Sequence, residues 1–402
     1  MSVLRSIAFG LAGAATALLA TSAVAEEAVE RRVWWHPSLQ LQGVADDNAF
    51  LEDGGSAGDV GFWLTPRLEL GVRAPSYEVG ADLGVDVRRH SQHQDYDETF
   101  ARVSGFGEIG LLPGLSLRVS DAFVPQPVRL GLPDDQPSNL LQSNRLEGSL
   151  RYWRAGPDGR EIAFGVKGAR FDSESFAALV PGPGGAPLPD PDFDADFWEG
   201  GGFLELQSAL TRRASVYLAG TARYRTFDES PQSDLGEYTA IAGLRMQRLR
   251  GLQLDVAGGG GVLDFRSGRS VPRFLGRFDL GYRHRSGWRL GVGGQHRFTA
   301  DLAGNDFIDT TGRLTLERYF GTRTAATLTL FASYLQDESQ ALQSDPLARR
   351  NNFFGGVELA LRRQLARQLQ IGLAYRYWEN AGSFGADDFQ QNRGMLTLIY
   401  RE

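Results

Sequence analysis

Two groups of residues in this sequence have the types and spacing that chemistry would need. The first is a histidine–aspartate cluster formed by His90, His93, Asp95 and Asp97. An imidazole beside a carboxylate can act as a general base or bind a metal ion. The cluster has no nucleophile and no paired base at a defined spacing, and the sequence contains no cysteine. We therefore predict no catalytic residue, no metal site and no cofactor, and we expect a protein that is not an enzyme.

The second group is a long series of charged residues at every second position of extended segments. Glu78, Asp82 and Asp86 alternate with Val79 and Val85, for example. In a β-strand, such alternation puts the charged residues on one face and the apolar residues on the other. We predict that the following residues line a pore: Arg67, Glu69, Glu78, Asp82, Asp86, Arg102, Glu108, Arg145, Glu147, Arg151, Glu199, Glu205, Arg223, Arg225, Arg245, Arg277, Asp279, Arg289, Arg297, Glu358 and Arg376.

This charged face has two interpretations. Arrays of arginine and carboxylate can filter or guide a polar solute through a hydrated conduit. The same charges can instead form cross-strand ion pairs that keep a polar wall rigid. Aromatic residues on the same face can stack on sugar rings or can pack against the wall, and they are Trp63, Phe106, Trp153, Phe203, Tyr217 and Trp378.

The segments that carry these residues are about ten to fifteen residues long and are separated alternately by short and long connections. The short connections are rich in arginine, and the long ones are rich in aspartate and glutamate. Transmembrane β-barrels have this pattern, with short periplasmic turns and long extracellular loops. Reversing the two faces would put arginine at the middle of the bilayer, at a cost of roughly 2–4 kcal/mol per residue.

We therefore predict an all-β fold, a transmembrane antiparallel up-and-down β-barrel of about 18 strands, with 16 as the alternative if one hairpin is wrongly assigned. A barrel of this size is wide enough for an aqueous channel. The predicted strands are 34–45, 59–73, 76–90, 98–111, 114–126, 141–154, 160–173, 195–209, 214–227, 237–247, 251–265, 272–284, 287–300, 308–319, 322–336, 351–364, 368–379 and 390–402.

The first residues resemble a secretory signal. Arg5 precedes a short apolar run, Ile7–Ala20, and Ala23-Val24-Ala25 forms an A-x-A cleavage site. We predict a signal peptide at 1–25, a short N-terminal segment at 26–33 and an outer-membrane β-barrel at 34–402. The expected location is the cell outer membrane, as an integral protein secreted through the inner membrane by a cleaved signal peptide. The net charge of −7 gives no reason to expect nucleic-acid binding.

The longest irregular segment lies between residues Ser173 and Asp196. It contains an apolar stretch followed by several prolines and glycines, and it ends in alternate aspartates. A stiff loop with an apolar patch can fold into the lumen as a constriction, or it can remain a mobile external loop. The sequence favours neither alternative.

The first hairpin carries a resemblance to a known family. Its residues are Asp46-Asp47-Asn48-Ala49-Phe50, then Asp59, Pro66, Leu68 and Leu70. This arrangement resembles the β-barrel porin 2 family, whose members tend to begin with an acidic-acidic-Asn-aromatic loop and a strand that carries a proline. Members often occur with exopolysaccharide or capsule loci. The resemblance implies an outer-membrane outlet that works with a periplasmic polysaccharide-export protein.

Two functions follow as hypotheses. The first is a pore for export of a secreted polysaccharide with a periplasmic export partner. The second is a passive diffusion porin for small hydrophilic or sugar solutes, and a structural or adhesive barrel with a blocked lumen is a weaker third. Expected partners are outer-membrane lipid and lipopolysaccharide, the barrel assembly machinery, a periplasmic polysaccharide-export protein, and a polysaccharide or small-sugar solute.

Overall fold

The fold is that of a computed structural model, which describes residues 32–48, 58–92, 97–127, 140–156, 160–173, 197–228, 234–249, 251–300, 306–337, 351–382 and 389–402. Within these ranges the chain forms strands joined by turns and short irregular segments. Among the described residues, no helix is long and apolar enough to cross a membrane. The predicted signal peptide at 1–25 lies outside the described residues.

The described chain forms 18 strands. They are β1 (Arg32–Asp46), β2 (Asp59–Arg73), β3 (Tyr77–His90), β4 (Glu98–Leu112), β5 (Leu115–Pro127), β6 (Leu140–Ala155), β7 (Arg160–Ser173), β8 (Phe197–Thr211), β9 (Ala214–Phe227), β10 (Leu235–Leu249), β11 (Leu252–Phe265), β12 (Ser270–Arg283), β13 (Trp288–Ala300), β14 (Asp306–Phe320), β15 (Thr324–Asp337), β16 (Asn351–Gln364), β17 (Leu369–Gly382) and β18 (Phe389–Arg401).

Every strand pairs antiparallel with the next one along the chain, and β1 pairs with β18 to close the barrel. The predicted architecture and the strand count of 18 are therefore confirmed. The boundaries differ from the prediction by a few residues at most. The largest difference is at β17, which continues to Gly382 instead of ending at 379. β1 begins at Arg32, so the last two residues of the predicted N-terminal segment belong to the barrel.

The two ends of the barrel differ as the sequence predicts. The connections at one end are short, such as the turn at Gly114 between β4 and β5. Gly114 and Gly251, which lie in two of these turns, have φ angles of 83° and 91°. This left-handed backbone suits tight hairpin turns and favours glycine. We call the end with the short turns the periplasmic end, because short turns face the periplasm in such barrels. The opposite end is the extracellular end.

The outer surface is apolar. Val60, Phe62, Val166, Leu218 and Leu373 are all at least half exposed, and each alternates with a residue on the opposite face of its strand. Exposed apolar side chains in a continuous belt are stable only against lipid. The protein is therefore an integral outer-membrane β-barrel.

Two of the described strand ladders stop before the strands end: β4 and β5 pair only as far as Val103 and Phe123, and the second is that of β12 and β13. The pairing of β12 with β13 ends at Gly276 and His296, although both strands continue toward the extracellular end. Nearby lies a buried apolar cluster made of Leu235, Leu263, Phe265, Val271, Leu275, Phe298 and Ile308.

Candidate functional site: the concave face of the barrel

Side-chain contacts that cross an intervening strand identify the concave face of the sheet. Arg362 of β16 donates a hydrogen bond to Glu317 of β14 at 3.0 Å, past β15. Arg245 of β10 reaches Gln207 of β8 at 3.2 Å, past β9. Curvature brings side chains together in this way on the inner side of a barrel. We call this side the concave face and the lipid-exposed side the convex face.

The strand register assigns each predicted pore-lining charge to one of these faces. Residues directly opposed on neighbouring strands share a face, so the contacts above assign a face to every strand in turn. By this assignment all the predicted charged residues lie on the concave face, from Arg67 in β2 to Arg376 in β17. The aromatic residues from Trp63 to Trp378 share that face. The structure thus brings the predicted set to one surface.

The richest group of charges surrounds Glu199. Its carboxylate lies 3.5 Å from Lys167 Nζ, 3.4 Å from Arg223 and 3.3 Å from Arg225. Arg223 also binds Glu237 on the neighbouring strand β10. We call these five residues the Glu199 cluster. It has three cationic side chains and two carboxylates, so its charge is positive.

A second group centres on Trp63. Arg393 Nε donates to Asp46 Oδ2 at 2.8 Å, and the Gln391 side-chain amide donates to the same oxygen at 2.8 Å. The guanidinium carbons of Arg88 and Arg393 lie 4.9 and 5.7 Å from the Trp63 ring centroid. A buried guanidinium gains both from the carboxylate and from the electron-rich ring face. The group joins the first and last strands of the barrel.

Aromatic rings form a third group on β15 to β17. Trp378 lies parallel to Phe354 with centroids 5.9 Å apart, and Phe331 packs at 4.7 Å in a tilted geometry. Arg376 lies 6.0 Å from the Trp378 centroid and donates to Glu358 at 2.8 Å. This group presents flat rings beside a charge pair, an arrangement that suits a planar solute with a charged substituent.

Tyr217 organises the wall nearer the periplasmic end. Its hydroxyl donates to Asp255 at 2.7 Å and accepts from Arg277 at 3.0 Å. Arg245 lies over its ring at 5.0 Å and donates to Asp255 at 3.1 Å. A Cβ on Gly243 would come within 2.5 Å of the ring, so the ring lies flat on this glycine. For Tyr217, wall packing therefore describes the contacts better than a free sugar-stacking surface.

Burial of the concave face varies from place to place. Several charged residues at the extracellular end are almost fully buried, as Arg393 is at 3% exposure, whereas the Arg297 side chain at the same end is 56% exposed. Toward the periplasmic end the Arg289 side chain is 42% exposed although it also pairs with Glu317. A concave-face side chain loses contact with water only where other atoms fill the lumen beside it. Burial is therefore greatest around particular groups, such as Asp46 with Arg393, and not at every position of that end.

Some predicted residues are on the concave face but are not part of these groups. Among the described side chains we find no ion-pair partner for Arg67, Glu69, Asp82, Arg151 or Glu205. Trp153 lies at the periplasmic end of β6, away from the other rings, and is nearly half exposed.

The histidine–aspartate cluster is only partly described, because His93 and Asp95 lie outside the described residues. His90 Nδ1 is 3.0 Å from Asp59 Oδ2, and the Asp97 side chain accepts a hydrogen bond from the His90 backbone N–H at 2.8 Å. Asp59 also accepts from the Ser91 hydroxyl at 2.8 Å. These contacts tie β2 to β3 at the extracellular end. The loop predicted between Ser173 and Asp196 likewise lies outside the described residues, apart from Ser173.

Sequence reasoning missed several members of these groups. Asp46, Arg88, Lys167, Glu237 and Arg393 all lie on the concave face but were not among the predicted residues. The same alternation could have found Arg88, which is two residues beyond Asp86, and Lys167. Their partners depend on the register between strands, which no single strand shows.

The fold is similar to that of solved outer-membrane proteins. OpdK of Pseudomonas aeruginosa, solved with vanillate, is 13% identical with a TM-score of 0.52, and the match covers 92% of this chain and 99% of that one. OccK2 (OpdF) of the same organism, in complex with glucuronate, is 13% identical with a TM-score of 0.51 and coverages of 92% and 96%. Acinetobacter baumannii OccAB4 is 10% identical with a TM-score of 0.53 and coverages of 94% and 100%.

These similarities establish the barrel fold and agree with the outer-membrane location derived above. No family model matches the sequence, and no curated protein matches it significantly. The resemblance to the β-barrel porin 2 family thus gains support only at the level of an outer-membrane β-barrel.

Proposed function

We propose that this protein is a diffusion channel for small hydrophilic solutes, with a preference for small carboxylates such as sugar acids. The observation that carries the proposal is the positive charge of the Glu199 cluster, where Lys167, Arg223 and Arg225 face two carboxylates. It lies toward the extracellular end. A solute carboxylate can bind the excess cation of this cluster while Glu199 and Glu237 keep their guanidinium partners, because a buried carboxylate left without its cation would be costly.

The solutes of the solved neighbours support this choice. OpdK was solved with vanillate and OccK2 with glucuronate, and both compounds are small carboxylates with a ring. The Trp378 group, with its rings beside Arg376 and Glu358, offers this chain a surface for the same combination of ring and charge. We propose that the concave-face charges predicted from the sequence act as the path of such solutes.

Polysaccharide export, the first hypothesis from the sequence, now ranks second. It rested on the family resemblance, and the comparisons favour small solutes over a polymer. We retain from the sequence the proposal that residues 1–25 are a cleaved signal peptide, which the N-terminal sequence of the mature protein would test.

A gene deletion separates the two functions. We expect slower uptake of glucuronate by the deletion strain and unchanged surface polysaccharide, with uptake restored by the gene in trans. Loss of surface polysaccharide with normal glucuronate uptake would instead support export.

A further inference from the structure

The barrel wall is interrupted between β12 and β13. Ser270–Leu275 of β12 continue to pair with β11 beyond the last β12–β13 pair, but no residue of the described part of β13 pairs with them. Pro272 lies in this stretch, and proline has no N–H to donate to a neighbouring strand. Arg273 donates to the Pro272 carbonyl oxygen at 3.1 Å, so an acceptor in this stretch is satisfied from within the same strand.

Beyond the break, the last part of β13 and the first part of β14 lie inside the wall. Phe298 and Ile308 occupy convex-face positions of their strands, yet they are only 6% and 2% exposed. They pack in one cluster with Leu263 and Leu275, which are concave-face residues of β11 and β12. A Cβ on the concave-face residue Gly261 would lie 2.7 Å from the Phe298 ring. The two edges therefore overlap, with β13 inside β12.

Apolar side chains predominate on both sides of this overlap. On the lumen side is the buried cluster that contains Phe298. On the lipid side is a shallow groove lined mainly by apolar residues such as Tyr238 and Phe274, with Thr239 and Arg273 also in its lining, and Phe274 is 67% exposed. The register aligns Tyr238 with Val262 and Val262 with Pro272, so the groove and the break lie at the same height.

A charged crevice adjoins the lumen side of the overlap. Arg223, Arg225 and Glu237 line it together with Leu263 and Phe298. The positive Glu199 cluster is thus in direct contact with the apolar cluster. The crevice has a volume of only about 10 Å³, so an anionic head group would meet these cationic side chains, beside the apolar cluster, only when the overlap opens.

We propose that the β12–β13 overlap is a lateral gate through which single-chain amphipathic anions pass from the lumen into the outer leaflet. The head group binds at the Glu199 cluster, and the chain leaves past Phe298 into the groove beside Phe274. In the structure the gate is closed, because Phe298 fills the space between Leu275 and Gly261. Open sheet edges are not stable in hydrocarbon, so the overlap must close again after each passage. This activity goes beyond the permeation of hydrophilic solutes.

The gate can be tested by crosslinking, because the chain contains no cysteine. The Leu275→Cys, Phe298→Cys double variant would be joined across the overlap with a short bifunctional thiol reagent. The control double variant is Leu290→Cys, Leu316→Cys, which are directly opposed across the complete β13–β14 ladder. Both would be reconstituted in vesicles, and transfer of a pyrene-labelled alkyl sulfonate from the lumen into the outer leaflet would be measured beside glucuronate permeation. The sulfonate stays ionised and crosses lipid slowly by itself.

We expect crosslinking of the Leu275→Cys, Phe298→Cys variant to reduce sulfonate transfer to the level of protein-free vesicles, while glucuronate permeation is unchanged. The control crosslink should affect neither, and Phe298→Ala should increase transfer. The proposal is wrong if the crosslinked overlap still transfers the sulfonate, or if neither the wild type nor Phe298→Ala exceeds protein-free vesicles. Glucuronate permeation by the same vesicles shows whether each variant is folded, and it tests the proposed diffusion channel independently of the gate.

Discussion

At the scale of single residues, the charge of the lumen depends on a few side chains whose charges do not cancel. Lys167, the one lysine of the sequence, supplies the third positive charge beside Glu199. Because its neighbours Arg223 and Arg225 can neutralise the two carboxylates of the cluster, removing Lys167 should remove the excess positive charge without leaving a buried carboxylate alone.

We therefore predict that Lys167→Gln lowers the ratio of glucuronate to glucose permeability in reconstituted vesicles. Lys167→Arg is the matched variant, because it retains the charge, and its ratio should stay near that of the wild type. Equal ratios for all three proteins would show that the Glu199 cluster does not select the solute.

Arg393 has a structural role that an exposed arginine of the same face lacks. It is buried against Asp46 and Trp63, so Arg393→Met leaves a buried carboxylate without its cation, and this typically costs about 3–5 kcal/mol. Arg289→Met removes a half-exposed partner of Glu317 and should cost about 1 kcal/mol or less. Urea unfolding of the two variants in the same detergent compares these costs directly, and similar midpoints would contradict the assignment of Arg393 as a buried anchor.

The sequence was informative about faces and uninformative about partners. Strict alternation assigned Arg67, Glu358 and the other charged residues to one face, because the period of a strand is two residues. It could not show that Asp46 meets Arg393, since these residues are far apart in the chain and meet only when β1 closes on β18. The alternation also could not predict which concave-face residues are buried at the extracellular end, because their burial depends on the atoms beside them in the lumen and not on their own strand.

At the scale of strands, close cross-strand packing limits which glycines can be replaced. A Cβ on Gly80 would come within 2.6 Å of Phe106, whose ring also lies under Arg118. Gly80→Val should therefore destabilise the barrel by about 1–3 kcal/mol. The matched variant is Gly148→Val on the convex face, where nothing lies within 4 Å of the added Cβ. Gly148→Val should be neutral in the same unfolding assay, and an equal loss in both variants would rule out the packing explanation.

The assignment of faces is testable at two adjacent residues of β17. Leu373 is 59% exposed on the convex face, and Ala374 is on the concave face. Leu373→Arg should destabilise the folded barrel by about 2–4 kcal/mol, because it puts a charge in lipid. Ala374→Arg should be tolerated. The stability of each variant can be measured by heat-modified migration in gel electrophoresis and by unfolding in vesicles. If Ala374→Arg were the less stable of the two, the convex and concave faces would be exchanged.

The β12–β13 break marks the limit of prediction for strands. The predicted bounds of both strands are nearly correct, since their alternation is clear on each side of the turn at Gly287. Nothing in the alternation of Phe298 and Ile308 distinguishes a convex-face residue in lipid from one that packs inside the neighbouring strand. Pro272 was the available signal, because a proline within a strand indicates an edge or an irregularity.

At the scale of the whole molecule, alternate short and long connections were enough to predict a closed barrel of 18 strands. This succeeds because lipid permits few architectures, and a polar backbone in hydrocarbon must close on itself. The same argument does not distinguish between functions, because a channel for small solutes and an outlet for a polymer can have the same barrel architecture. The family resemblance favoured a polymer, whereas the positive Glu199 cluster favours a small anion.

The most direct test of this account is the permeation of glucuronate through the purified barrel alone, reconstituted in planar bilayers or vesicles without any partner protein. We predict that the barrel conducts unaided and that glucuronate passes faster than glucose, a neutral sugar of similar size. A barrel that is closed to both solutes until a periplasmic partner is added would contradict the account and favour export.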